Sequence, residues 1–414
     1  MTSVHWRITV LNRKRSMAPA TILVVVLLTA LPALAGEKIL HNFNNNGKDG
    51  YDPIGGLVFD SAGNLYGTTA FGGARGGGIA FELKPVTGGW TERVLFTFAA
   101  TKWGIQPEDS MIFDASGNLY GTTYLSGGST GVAFELQRQA DGSFKELILC
   151  HLGEQGGGSL PVGSLAFDAS GNLFGTVHSG GPHGEGAVFE LTPATGGTWT
   201  VSVPRSFGGP PDGHGPRSNV IFDSSGNLYS TTFSGGAHSV GTVFELSPNG
   251  DSTWTETILH DFQKEVGDGY NPWAGLIFDS FGNLYGTTEN GGAQGGTVFE
   301  LSPNVDGSWS EKILHKFGNG SDGKYPMANL VADAAGNLYG TTYSGGAYGY
   351  GTVFKLSPAA GGTWTETVLH SFGNGTDGKY PGYGALIFDN AGNLYGTTGC
   401  GGKYAAGMIF EITP

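Results

Sequence analysis

Cysteine is almost missing from this chain: Cys150 and Cys400 are the only two in 414 residues. They fall at different places in the repeat unit, which argues against a disulfide between them, and neither sits in a C-x-x-C metal or redox pattern. Cys150 stands where other copies carry His and reads as a packed small hydrophobe. Cys400 falls in a glycine-rich loop, where it is expected at the surface. Charge is scarce as well, at 14% of residues, and basic charge is scarcest, with 21 Lys+Arg against 35 Asp+Glu. That balance argues against nucleic acid or anionic lipid as a partner. Beyond the first 35 residues no segment keeps helical periodicity over two turns, which points to an all-β fold. Nothing matches a nucleophile elbow, a phosphate-binding loop or H-E-x-x-H.

The one long apolar run opens the chain. Arg7, Arg13, Lys14 and Arg15 lead into it, the run covers 18–34, and Ala33-Leu34-Ala35 is a small-x-small cleavage site before Gly36. Residues 1–35 therefore read as a secretory signal peptide. The run is short for a bilayer span and is broken by Pro32, which argues against an uncleaved anchor. Cleavage removes four basic residues and no acid, leaving 17 basic against 35 acidic residues and a net charge of −18. The expected product is a secreted or periplasmic monomer with no membrane span.

Glycine is what the chain has in excess, with 75 residues, and it recurs in register. Gly-Asn-Leu followed by Tyr or Phe begins at Gly63, Gly117, Gly171, Gly226, Gly282, Gly336 and Gly392, at steps of 54 to 56 residues. A period of that size marks a repeat architecture, and the seven copies account for all of 36–414. In the fifth copy, 276–279, 284–288, 297–301 and 309–317 are short β-branched and aromatic runs. Gly/Asn/Asp/Pro turns separate them. They read as antiparallel strands A to D, and four strands per repeat make the blade of a β-propeller. The seventh copy stops at the end of strand C. Meanwhile 37–43 (EKILHNF) matches strand D of the sixth copy, 366–372 (ETVLHSF). The first mature strand should therefore complete the last blade and close a seven-bladed ring.

The repeated phrases F-D-x-x-G-N-L-Y-G-T-T, G-G-x-x-x-G-T-V-F-E-L and W-T-E-x-V-L-H-x-F closely resemble the GloVer-type tandem-repeat family of exported, β-propeller-like bacterial proteins. The resemblance covers essentially all of 36–414. Members often carry a C-terminal anchor; this chain ends at Pro414 without one, which favours free secretion. The A–B hairpin is also similar to NHL-type propellers. The resemblance implies no established activity.

Recurrent polar residues invite a functional reading, and each has a structural competitor. Asp60, Asp114, Asp168, Asp223, Asp279, Asp333 and Asp389 precede Gly-Asn by three residues and are expected to organise the A–B turn. His41, His260, His315 and His370 share one column of strand D with Phe96, Cys150 and Arg205. Those exchanges argue against a metal ligand common to all blades. Trp90, Trp199, Trp254, Trp309 and Trp364, with Phe144, open strand D and are expected to shield it against strand C.

The D–A loops offer more. Five carry Asp-Gly, then Tyr or His, then Pro: Asp49 with Tyr51, Asp212 with His214, Asp268 with Tyr270, Asp322 with Tyr325 and Asp377 with Tyr380. Trp103 stands nearby in a copy without the pair. D–A and B–C loops should open on one face, where acids and aromatics suit hydroxyl-rich ligands or Ca²⁺, with no other cofactor implied. A second candidate is asymmetric: His178, His183 and Glu185 from one B–C loop with Asp212 and His214 from the next D–A loop. Near-uniform repeats without a unique catalytic motif favour a secreted, non-enzymatic binding propeller for a glycan, surface polymer or protein. The alternatives are a polysaccharide-active lyase or hydrolase with its site at the ring's mouth, and a purely structural envelope or matrix protein.

Overall fold

The computed structural model describes residues 36–414 apart from 100–103, 127–129, 155, 210, 265, 266 and 382. The signal-peptide reading therefore lies outside the described residues. Seven small antiparallel four-stranded sheets form a seven-bladed β-propeller, as the repeat period implies. In blade 5, strand A is Ile277–Phe278, strand B Leu284–Thr288, strand C Thr297–Pro303 and strand D Trp309–Lys316.

The A–B turn shows why its residues repeat. Asp279 Oδ1 accepts the N–H groups of Phe281 (2.8 Å) and Asn283 (2.9 Å). Its Oδ2 accepts from Asn283 Nδ2 (2.8 Å) and the Tyr285 hydroxyl (3.2 Å). Gly282 takes φ 86°, which a side chain would strain. Burial alone would raise the Asp279 pKa, but these hydrogen bonds hold it below the ordinary value. Blade 3 carries Phe174 in place of the Tyr and keeps the other three bonds, from Ser170 and Asn172 to Asp168.

Blades pack through apolar side chains between consecutive sheets. The strand C phenylalanines, Phe81, Phe134, Phe189, Phe244, Phe299, Phe354 and Phe410, are fully buried. The strand D tryptophans pack elsewhere than expected. Trp364 meets Tyr285 of the preceding blade edge-on at 6.4 Å, and Trp254 likewise meets Phe174 at 5.8 Å. They seal the seam between blades rather than the outer face of strand C. Every C–D pair also carries a β-bulge, as between Val298 and Phe299 opposite His315 and Ile313. The extra residue breaks strict alternation and aims the His column into the seam.

The ring closes as the end-matching implies. Gly36–Asn42 pairs antiparallel with Met408–Thr413, with Gly36 opposite Thr413 and Asn42 opposite Met408. Leu40 is buried, and Phe43 is fully buried with its ring 5.3 Å from that of Phe81 in blade 1. Deleting 36–43 should lower the melting temperature sharply, because it strips that strand from blade 7. Phe43→Ala alone should cost about 3–5 kcal/mol, read as a lower urea midpoint. An unchanged melting temperature in the deletion would show that this strand does not close the ring.

Candidate functional site

The Asp-Gly pairs of the D–A loops face the blade seams. Asp377 Oδ1 accepts the Gly378 N–H (2.6 Å), and its Oδ2 accepts the Gly373 N–H (3.1 Å) and faces His370 Nε2 at 3.0 Å. Asp49, Asp268 and Asp322 sit the same way, buried beside His41, His260 and His315. Asp212 meets Arg205 Nη2 at 2.8 Å instead. The glycine that follows lies against the last threonine of strand B; a Cβ on Gly269 would meet Thr288 Oγ1 at 2.1 Å. There it forms a two-residue ribbon with the B–C loop, Gly269–Tyr270 with Asn290–Gly291. The D–A and B–C loops therefore share one face.

The aromatic residues that follow divide into two classes. Tyr51 stacks on Phe71 at 5.4 Å, and Tyr270 lies under Lys264 Nζ at 5.3 Å. Tyr325 and Tyr380 stand one place nearer the proline, in backbone with φ near 60°. Only Tyr380 of these four reaches the central cavity. Trp103 lies outside the described residues. The asymmetric set takes separate partners. His183 Nδ1 lies 3.0 Å from Ser206 O, His214 Nδ1 lies 3.0 Å from Ser234 Oγ, and Glu185 is exposed. His178 Nε2 lies 3.3 Å from Arg217 Nη2.

A single joint locks each blade to the one before it. The residues ahead of the seven prolines, Asp52, Gln106, Leu160, Gly215, Asn271, Tyr325 and Tyr380, all have φ between 57° and 64°. Asn271 donates its N–H to Val240 O of the preceding blade (2.8 Å) and accepts from the Glu289 N–H of its own (3.0 Å). Pro272 then presses on Gly241, where a Cβ would meet the proline Cδ at 2.6 Å.

The six described residues that follow these prolines line the mouth of the central channel. Pro is present in all seven copies, yet the next residue is never repeated among the six described: Ile54, Glu108, Val162, Arg217, Trp273 and Met327. All six line one cavity of about 480 Å³, joined by Asp52, Tyr124, Tyr343, Tyr380, Tyr383 and Cys400. The residue that follows Thr69 and its counterparts in the other blades varies too, as Ala70, Tyr124, His178, Phe233, Glu289, Tyr343 and Gly399.

One wall is aromatic. The Arg217 guanidinium lies between Phe233 and Trp273, 4.5 and 4.1 Å from the ring centres. Trp273 meets Tyr383 at 5.8 Å, Tyr383 meets Tyr343 at 5.8 Å, and Tyr343 stacks on Tyr380 at 4.9 Å. Deeper in, Asn329 Nδ2 donates to Asn219 Oδ1 (2.7 Å) from two blades away, and its Oδ1 accepts the Gly275 N–H (2.6 Å). The wall also holds three acids, Asp52, Glu108 and Asp109. Burial pushes Glu108 up to about 7, helped by the charge on Asp52, and burial raises Asp52 and Asp109 as well. Asp109 Oδ2 is buried with no hydrogen-bond partner.

The blade sequence that builds this frame is shared beyond this chain. A protein-family model for the Gloeobacter/Verrucomicrobia repeat matches residues 30–209 and again 197–410. The chain belongs to that family. No curated protein sequence matches it. Among solved structures it is similar to a proposed 6-phosphogluconolactonase of Bacteroides uniformis, at 15% identity and a TM-score of 0.49, over 75% of this chain and 83% of that one. It is also similar to the extracellular domain of a proposed one-component system of B. thetaiotaomicron, at 11% identity and a TM-score of 0.50, over 90% of this chain and 40% of that one. Such likeness concerns the propeller fold alone. Among the described residues no helix is long and apolar enough to cross a membrane.

This repeat-family propeller thus carries a proton-holding carboxyl at its mouth, with a testable pH signature. A carboxyl whose pKa is raised by folding stabilises the fold below its unfolded pKa, and that stability is lost as pH rises through the folded value. For Glu108 the window runs from about 4.5 to about 7. Glu108→Gln should melt like the parent near pH 5 and be more stable near pH 8, by on the order of 2 kcal/mol. A difference that does not change with pH would show that Glu108 titrates normally.

Proposed function

We propose that this protein is an exported binding propeller and that the cavity at the channel mouth takes a hydroxyl-rich ligand, a glycan. One observation carries the reading. The six described residues that follow the repeat's proline differ in every blade, and all six line a single cavity. A role confined to holding blades together gives no reason for that divergence. The wall chemistry suits sugars: Trp273, Tyr343, Tyr380 and Tyr383 offer ring faces, while Asp52, Glu108 and Asn219 offer hydrogen-bonding groups between them. The volume lies within the usual range of ligand pockets. Export rests on the leader at 1–35, so secreted material should begin at Gly36, checked by N-terminal sequencing.

A second reading has its own support. Three carboxyl groups, Asp52, Glu108 and Asp109, line the cavity, and Glu108 feels the charge of Asp52. In a polysaccharide-active enzyme, protonated Glu108 would be the acid and Asp52 the base or nucleophile.

A glycan array, run with and without Ca²⁺, separates these readings. Binding is expected, and Trp273→Ala and Tyr380→Ala should each weaken it about tenfold or more while leaving the melting curve in place. Binding without release of new reducing ends supports the binding role. Product release that Asp52→Asn abolishes would favour the enzyme. Glycan binding at full strength in both aromatic variants would reject the cavity as the site.

A further inference from the structure

Four of the seven blade seams repeat one constellation. Between blades 4 and 5, His260 Nε2 lies 3.3 Å from Asp268 Oδ2 and 3.7 Å from Glu311 Oε1. The His comes from strand D of one blade, the Asp from the D–A loop, and the Glu from strand D of the next. The same triad recurs as His315, Asp322 and Glu366, as His370, Asp377 and Glu37, and as His41, Asp49 and Glu92. In each, one ligand atom per residue lies within 4.8 Å of the other two.

The geometry is that of a partly assembled metal shell. Zinc takes imidazole nitrogen and carboxylate oxygen at about 2.0–2.2 Å, which sets neighbouring ligands of a tetrahedron about 3.3–3.6 Å apart. The His–Asp separations here run from 3.0 to 3.6 Å, and the His–Glu separations from 3.7 to 3.8 Å where they are close enough to pair. The ligands are held in place. Each imidazole packs edge-on against the Phe two residues on, at 4.5 to 4.7 Å. Asp322 Oδ1 accepts the Gly323 N–H at 2.7 Å, the outer support a ligating carboxylate needs. Glu37, Glu92, Glu311 and Glu366 each keep a buried Oε1 with no hydrogen-bond partner, as does His41 Nε2.

The remaining seams bear on what belongs there. Between blades 3 and 4, Arg205 replaces the His, and its Nη2 reaches Asp212 Oδ2 at 2.8 Å and Glu256 Oε2 at 2.5 Å. A fixed cation thus sits between the two carboxylates. Between blades 2 and 3 all three members change together: Cys150 and Val201 face an apolar cluster, and the loop has no Asp-Gly. Between blades 1 and 2, Phe96 stands in the His column and Glu146 is buried with both oxygens unpartnered. Where the acid pair is complete, the seam offers either an arginine or an imidazole.

We propose that the four His–Asp–Glu seams bind divalent transition-metal ions of the zinc type, one per seam, each tying two blades together. One imidazole and two carboxylates suit that class; Ca²⁺ would want six or more oxygens. The first mature strand contributes to two of the four, through Glu37 and His41.

The test uses the full mature chain, stripped with chelator and titrated with Zn²⁺ by calorimetry at about pH 7.5. Four equivalents should bind with dissociation constants below about 10 µM and raise the melting temperature. Glu311→Gln and His260→Phe should each lower the count to three; the second installs the residue that Phe96 already provides in another blade. Co²⁺ should give the visible absorption of a tetrahedral site, reduced by a quarter in either variant. Four equivalents retained in both variants would overturn the proposal. So would the absence of saturable Zn²⁺ binding, which would leave the seams holding protons only. Ca²⁺ bound as tightly as Zn²⁺ would overturn the assignment of metal class.

Discussion

The ring depends on the joint that each blade makes with its predecessor ahead of its proline. Six side-chain-bearing residues are held there at positive φ, a conformation that costs on the order of 1 kcal/mol apiece outside glycine and that a following proline further restricts. A proline ring seated on a glycine follows each of them, and two backbone hydrogen bonds, one to each blade, hold Asp52, Gln106, Asn271, Tyr325 and Tyr380 in place. Because the backbone carries the connection, the side chains at and after the joint are released from structural duty. Those after it project into the channel mouth, where Glu108, Arg217 and Trp273 differ at one and the same position. The frame and the site are thus interleaved along the chain, yet almost no residue serves both.

That separation explains what the sequence discloses. The period, the four strands and the ring closure are legible because the A–B turn is self-contained. Asp279 meets all its partners within six residues, so the motif reads the same in every copy. The seams are less legible. His260 and Asp268 are near neighbours in sequence, but Glu311 arrives from the next blade, and the strand D tryptophans find their Tyr or Phe across the same gap. Reading the His column alone, its exchange with Phe96 and Cys150 looks like indifference. Read with its two partners, the loss at Cys150 is accompanied by Val201 in place of the Glu. The mouth escapes for the opposite reason. A search for shared residues passes over Ile54, Glu108, Val162, Arg217, Trp273 and Met327, because their divergence is the signal. The D–A loops open on the face that holds the cavity, but their Asp residues turn into the seams and the cavity-lining residues begin three to five residues later.

Closure by the first strand has a mechanical consequence. Gly36 and Thr413 lie side by side on antiparallel neighbours, so a force applied at those two residues acts across that strand pair rather than along it. Loaded in this direction, the ladder's hydrogen bonds bear tension one after another instead of together, and the outer strand of blade 7 peels like a zipper. The other six blades, each formed from one continuous stretch of chain, feel no pull until that strand is free. Blade 7 is the mechanical fuse of the ring, whatever its share of the thermodynamic stability.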